Sequence, residues 1–321
     1  MTQTSSLRPA DAVAAALVDR APPNIQPYLR LMRLDRPIGT WLLYWPCVFG
    51  LVLGAVADSR PFGSWRDWGL VLLLGIGAIV MRGAGCTYND IVDRDFDAKV
   101  ARTRGRPIPS GAVTVKQARL FAAGLSLIGL VILLMLDPLA IALGAGSLVL
   151  IAAYPFMKRI TWWPQAWLGL TFNWGAPLGY AAATGHFGWQ AVLLYASGFF
   201  WTLGYDTIYA VQDLEDDGLA GVKSSARILG RQAPIAVLGF YACAVVLALA
   251  AAAVAELGPL FLPFAALFAV HLSRQAAKLN LDDGAGALRL FRSNREAALL
   301  LFVGLVAGLW RSGGGLLGLG G

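Results

Sequence analysis

Long apolar runs limit what this chain can fold into more than any other feature. Stretches of about 20 apolar residues, enough for a helix to cross a hydrocarbon core of about 30 Å, recur roughly at 38–57, 67–89, 114–135, 138–156, 162–184, 189–211, 231–254, 257–279 and 296–314. With 57% of residues hydrophobic and 14% charged, too little polar surface exists to cover a soluble domain. The expectation is an all-α, polytopic membrane protein with nine transmembrane helices.

Charge gives the orientation, because cytoplasmic connections accumulate Lys and Arg. With the N-terminus cytoplasmic, all but four of the 26 Lys and Arg residues fall in the N-terminal tail, in the connections after the second, fourth, sixth and eighth spans, or at the span ends flanking those connections. The exceptions are Arg60, Arg66 and Arg311 outside and Arg82 within the second span. The net charge of +7 follows from this bias and from attraction to anionic membrane lipid, so no nucleic acid partner is needed.

Residues 1–25 read as a flexible N-terminal tail without the marks of a signal or transit peptide, 26–314 as a single transmembrane domain, and 315–321 as a glycine-rich C-terminal tail. Cys47, Cys86 and Cys243 all fall in apolar spans, which argues for packing and against a disulfide framework or zinc site. Gly50 and Gly54 are expected to let helices pack closely. Two long polar connections lie on the cytoplasmic side, from Asn89 to about Val113 and from Gln212 to about Gly230.

Each begins with acids at the end of an apolar span. On a helix turning about 100° per residue, Asp90, Asp93 and Asp97 share a sector of about 60°, with Asn89 beside them and Asp95 opposite. Asp206, Asp213 and Asp217 share a sector of about 40°, flanked by Tyr209, with Glu215 opposite. Facing carboxylate stripes repel unless a cation lies between them, and Mg²⁺ bound by one or two carboxylates and a diphosphate meets that need. A rise of about 1.5 Å per residue sets Asp206 roughly 10 Å from Asp213, off the outer metal and open to another task. Arg102, Arg104, Arg106, Lys158 and Arg159 can give a diphosphate charge-assisted hydrogen bonds. Arg82, an ionisable residue inside a span, marks a functional position, paired with these carboxylates or with an anionic substrate.

The segments "LMRLDRPIGTWLLYWP", "GCTYNDIVDRDFDAKVARTRGRPIPSG", "YPFMKRITWWPQ", "NWGAPLGYAA", "GYDTIYAVQDLEDD" and "GVKSSA" together resemble the UbiA family of intramembrane aromatic prenyltransferases, in its branch acting on 4-hydroxybenzoate. The resemblance implies helices around a central cavity open to lipid, and Mg²⁺-dependent transfer of a polyprenyl group from polyprenyl diphosphate to ring position 3 of 4-hydroxybenzoate, a step of ubiquinone biosynthesis. It implies that Asp90, Asp93, Asp97, Asp213 and Asp217 hold the metal and diphosphate, supported by Asn89. Arg104, Arg106, Lys158 and Arg159 would then meet the diphosphate, Lys158 foremost. Asp206 would orient or deprotonate the phenol, and Arg33, Arg36 or Arg82 would take the acceptor carboxylate. Tyr154 and Tyr209 stand beside these groups in the quoted segments. Relatives acting on homogentisate, naphthoate, haem or chlorophyllide remain alternatives that the acceptor pocket decides. An ion-coupled transporter would instead place its acids near the midplane of broken spans.

Overall fold

The structure is a computed structural model that describes residues 17–99, 103–214 and 221–310, and among these the regular structure is helical. Five helical stretches are long and apolar enough, by length and composition, to cross a membrane: Ile38–Ala57, Trp65–Asp97, Val115–Leu134, Pro138–Ile160 and Ser225–Val254, the last with a 3₁₀ turn at Gly230–Gln232. The other stretches expected to span are helical too, but shorter, interrupted or less apolar. The chain falls into two compact units, one of residues up to Thr40 with Ile76–Ile132, the other of Trp41–Gly75 with the residues from Leu133 onward.

The first unit opens with the short helices α1 (Leu17–Arg20) and α2 (Gln26–Leu31). The stretch read as a tail thus carries a helical turn near its end, with Val18 only 1% exposed. After helix α3 (Ile38–Ala57) comes α4 (Trp65–Asp97), whose 33 residues run from the apolar span into the first acidic motif. Helix α5 (Val115–Leu134) returns beside its second half. A small core of Leu31, Ile108, Val113 and Ala118, with Tyr28 edge-on to Phe121, ties α2, the connection after α4 and the start of α5 together. The acidic end of α4 is therefore seated on packed apolar residues.

The second unit holds most of α3, α6 (Pro138–Ile160), α7 (Pro164–Asn173), α8 (Gly175–Thr184) and α9 (Trp189–Ala210). It continues with α10 (Ser225–Leu229), α11 (Ala233–Val254), α12 (Phe261–Lys278), α13 (Gly284–Arg292) and α14 (Asn294–Ala307). Helices α3 and α8 touch almost backbone to backbone. A Cβ on Gly50 would lie 2.1 Å from the Ala176 carbonyl oxygen, and one on Gly54 2.8 Å from the Ala183 Cβ, so close packing accounts for both glycines.

The stretch 162–184, expected as one span, breaks at Trp174 into α7 and α8. Pro177 has no N–H to offer the Asn173 carbonyl four residues back, and its ring crowds that carbonyl. The buried Asn173 side chain closes the end of α7 by donating to the Gly169 carbonyl at 2.9 Å and to Thr202 Oγ1 at 2.7 Å. Thr202 in turn donates to the Tyr205 hydroxyl at 3.0 Å, and Trp201 Nε1 donates to Asn294 Oδ1 at 2.8 Å. These buried bonds fix α9, the helix that leads into the second acidic motif.

Candidate functional site

In the first unit, α4 stays α-helical to Asp97, so the angular reading of its acids applies without correction. Asp90, Asp93 and Asp97 are at most 2% exposed, whereas the Asp95 side chain is 80% exposed. Three carboxylates buried on one stripe need compensation, and two arginines supply it for Asp90 and Asp97. Arg33 Nη2 donates to Asp90 Oδ1 at 2.5 Å, and Arg106 Nη1 reaches the same oxygen at 3.3 Å and Asp97 Oδ2 at 2.7 Å. Burial opposes the charge on Arg33 most strongly, but Asp90, Cys86 and Asp35 together outweigh it and hold the guanidinium above its ordinary pKa. Thr103 Oγ1 donates to the Asp97 carbonyl at 2.9 Å and closes the end of α4.

Asp90 Oδ2 has no hydrogen-bond partner although it is buried. An anionic oxygen left bare in a protein interior is costly unless a cation or donor completes it. Among the described residues no three His, Cys, Asp or Glu side chains are gathered into a ready cage. The bare Asp90 oxygen suits Mg²⁺, which takes one or two carboxylates and fills its remaining positions with water and phosphate oxygens.

Arg82 does not pair with these carboxylates. Its Nη1 donates to the Arg33 carbonyl at 3.1 Å and to Thr40 Oγ1 at 3.2 Å. Its guanidinium lies across Gly39, where a Cβ would come within 2.5 Å of Nη2 and displace it. Arg36 contacts its neighbour Asp35 at 3.5 Å, Asn89 is half-buried, and Arg104 is exposed. Sequence reasoning passed over Asp35, which is 6% exposed and leaves Oδ1 without a partner. A lone acid among the arginines of "RLMRLDR" was the available signal.

In the second unit the helical phase changes. Helix α9 ends at Ala210 and a 3₁₀ turn, Val211–Asp213, follows. At about 120° per residue this turn carries Asp213 about 60° beyond the place an unbroken α-helix gives it. Asp213 then lies about 40° to the other side of Asp206, so the two still share one sector, while Asp217, like Arg102 and Glu215, lies outside the described residues. Asp213 is buried and Asp206 half-buried. Tyr209 packs on Phe291 of α13 at 4.7 Å between ring centroids, and Phe291 also meets Tyr205 at 5.8 Å. Sequence reasoning missed α13, a nine-residue amphipathic helix capped by Asp283 accepting from the Gly286 N–H, inside what it treated as a connection.

The return from the second motif docks on the basic end of α6. Lys223 N donates to the Lys158 carbonyl at 3.2 Å, Ser225 N to the buried Gln165 Oε1 at 3.0 Å, and the Ser225 and Thr207 hydroxyls bond at 2.7 Å. Arg227 lies over the Trp162 ring at 5.4 Å. Tyr154 and Lys158 are half-buried and Arg159 is exposed on α6.

A family model described as "UbiA prenyltransferase family" matches residues 43–306. Two relatives named "4-hydroxybenzoate polyprenyltransferase, mitochondrial" are similar along nearly the whole chain. The one from Mus musculus is 48% identical over 92% of this chain and 78% of its own length, and the one from Homo sapiens 47% over 93% and 80%. The apo structure of a UbiA homolog from Aeropyrum pernix K1 superposes with a TM-score of 0.69 at 25% identity, covering 84% of this chain and 98% of that one. A UbiA homolog from Archaeoglobus fulgidus bound to GPP and Mg²⁺ shares the fold with a TM-score of 0.59 at 18% identity, over 85% of this chain and 99% of that one.

Proposed function

The chain belongs to the UbiA prenyltransferase family, and from that premise we propose that it transfers a polyprenyl group from polyprenyl diphosphate to position 3 of 4-hydroxybenzoate, a step of ubiquinone biosynthesis. The observation that carries the acceptor is the 47–48% identity, over more than nine-tenths of the chain, with relatives named for that activity. We further propose a nine-span, multi-pass protein of the bacterial cell inner membrane, or of the mitochondrial inner membrane in a eukaryote. Residues 26–314 form its catalytic domain, its N-terminus is cytoplasmic, and its site faces the cytoplasm or matrix.

The allylic C–O bond of the isoprenoid breaks, diphosphate leaves with the electron pair, and ring carbon 3 of the phenol forms the new C–C bond and gives up its proton. When bound, Mg²⁺ supplies positive charge against the departing diphosphate. Asp90, through its unpartnered Oδ2, with Asp93 and Asp97 would hold Mg²⁺ at the first motif, and Asp213 with Asp217 would do so at the second. Asn89 supports the first set. Arg104, Arg106, Lys158 and Arg159 donate to the diphosphate oxygens. Asp206 accepts from the phenol hydroxyl and raises the nucleophilicity of the carbon ortho to it. Tyr154 and Tyr209 line the acceptor's surroundings.

Of the three arginines open to the acceptor carboxylate, Arg33 commits a donor to Asp90 and Arg36 lies against Asp35. Arg82, whose Nη1 donates to a carbonyl and a hydroxyl, is the best placed. The test is a mass-spectrometric product assay on membranes containing the chain, with geranyl diphosphate, Mg²⁺, and 4-hydroxybenzoate against homogentisate, alongside an EDTA control. The expected product is 3-geranyl-4-hydroxybenzoate, formed only with metal. Product from homogentisate alone would move the acceptor assignment elsewhere in the family.

A further inference from the structure

The buried ion pairs at the end of α4 are unequal in kind. Arg106 is shared between Asp90 and Asp97, whereas Arg33 spends Nη2 on Asp90 Oδ1 alone. Arg33 is itself held at both ends. Its backbone sits in the left-handed region at φ 57°, a conformation that a side-chain-bearing residue keeps only where its surroundings impose it. Four bonds impose it here, one of them from Arg36 N to the Arg33 carbonyl at 2.9 Å. Arg33 N donates to the Arg30 carbonyl at 3.0 Å, Arg33 Nη1 donates to the same carbonyl at 3.1 Å, and the Arg33 carbonyl accepts from Arg82 Nη1 at 3.1 Å. The result is a cation fixed against one oxygen of a carboxylate whose other oxygen, Oδ2, is buried and bare.

We infer that Arg33 is a positioning residue: by fixing Oδ1 of Asp90 it sets the rotation of the carboxylate and presents Oδ2 to the divalent cation. This rests on the reading of Asp90 as a metal ligand. It gives Arg33 a role different from acceptor binding, which the sequence left open to it. A carboxylate free to rotate would sample orientations that face its arginines with both oxygens, and the cation would have to compete with them. Groups that orient a metal ligand in this way change metal affinity by about 10- to 100-fold when removed.

The test is Mn²⁺ binding to the purified full-length protein in detergent with inorganic diphosphate, followed by electron paramagnetic resonance, together with acceptor KM. Arg33→Gly removes the guanidinium and relieves the left-handed backbone. Arg33→Lys keeps the charge and protects the fold, but a single ammonium cannot bridge Asp90 Oδ1 and the Arg30 carbonyl with the same geometry. The expected result is Mn²⁺ half-saturation weakened about tenfold or more in Arg33→Gly and by an intermediate factor in Arg33→Lys, with acceptor KM within about twofold of wild type. Unchanged Mn²⁺ half-saturation in a folded variant overturns the inference, as does a raised acceptor KM with unchanged Mn²⁺ binding. Absence of diphosphate-dependent Mn²⁺ binding in the wild type would instead overturn the metal assignment on which the inference stands.

Discussion

The two acidic motifs end apolar helices in the same way, yet they are built differently. The first lies on an unbroken α-helix, with its acids buried and two of them already neutralised by Arg33 and Arg106. The second begins on an α-helix, passes through a 3₁₀ turn, and is steadied from outside by Phe291 and by a return segment hydrogen-bonded to α6, α7 and α9. One set of carboxylates is therefore preset by charge and the other by packing and backbone hydrogen bonds. The first should resist changes of shape and fail on changes of charge, and the second should be sensitive to both.

The largest effect is expected from neutralising one acid in each region. Asp90→Asn and Asp213→Asn should each lower turnover on the order of a thousandfold or more, read as prenylated product by mass spectrometry, because transition-state charge loses its counter-ion. A variant of either region that keeps wild-type turnover would remove that region from the chemistry. Next comes Asp206→Asn. Turnover should fall about 10²- to 10⁴-fold, the range of a lost acid–base group, while Mg²⁺-dependent diphosphate binding stays near wild type.

A smaller effect separates packing from charge. Gln165→Leu takes the acceptor from the buried Ser225 N–H and should destabilise the return segment by about 1–3 kcal/mol. Turnover should drop several-fold, with the fall recorded alongside the melting temperature in detergent. Smallest of all is Asp95→Asn. The Asp95 side chain is 80% exposed and its ion pair with Arg94 is a surface one, so activity should stay within about twofold. A large loss there would mean that the stripe on α4 does not separate working acids from solvated ones.

The first region was the more legible in the sequence because its geometry is periodic. On a continuous α-helix the spacing of Asp90, Asp93 and Asp97 fixes their common face, and Asp95 falls on the other. What the spacing does not carry is Arg33, 57 positions from Asp90, since the pairing depends on a left-handed residue in the connection before α3. The second region was less legible because nothing in "YAVQDL" marks a change of helix type. The break at Trp174 and the helix α13 did leave signals, in Pro177 and in Asp283 before a short amphipathic run. The rule that apolar runs become helices had absorbed the first and the rule that polar runs become connections had absorbed the second. Family membership needed the acidic motifs together with "YPFMKR" and "GVKSSA", whose physical sense appeared only where Lys223 and Ser225 meet the ends of α6 and α7.

The central proposal is that the acids of each motif serve metal and diphosphate binding while Asp206 serves the acceptor. The most direct measurement is binding of a non-reacting geranyl thiodiphosphate to the wild type, Asp90→Asn, Asp213→Asn and Asp206→Asn, with Mg²⁺ and with EDTA. The account predicts metal-dependent binding in the wild type, its loss in Asp90→Asn and Asp213→Asn, and its retention in Asp206→Asn. Equal binding in EDTA, or a loss in Asp206→Asn as severe as in Asp213→Asn, would contradict it.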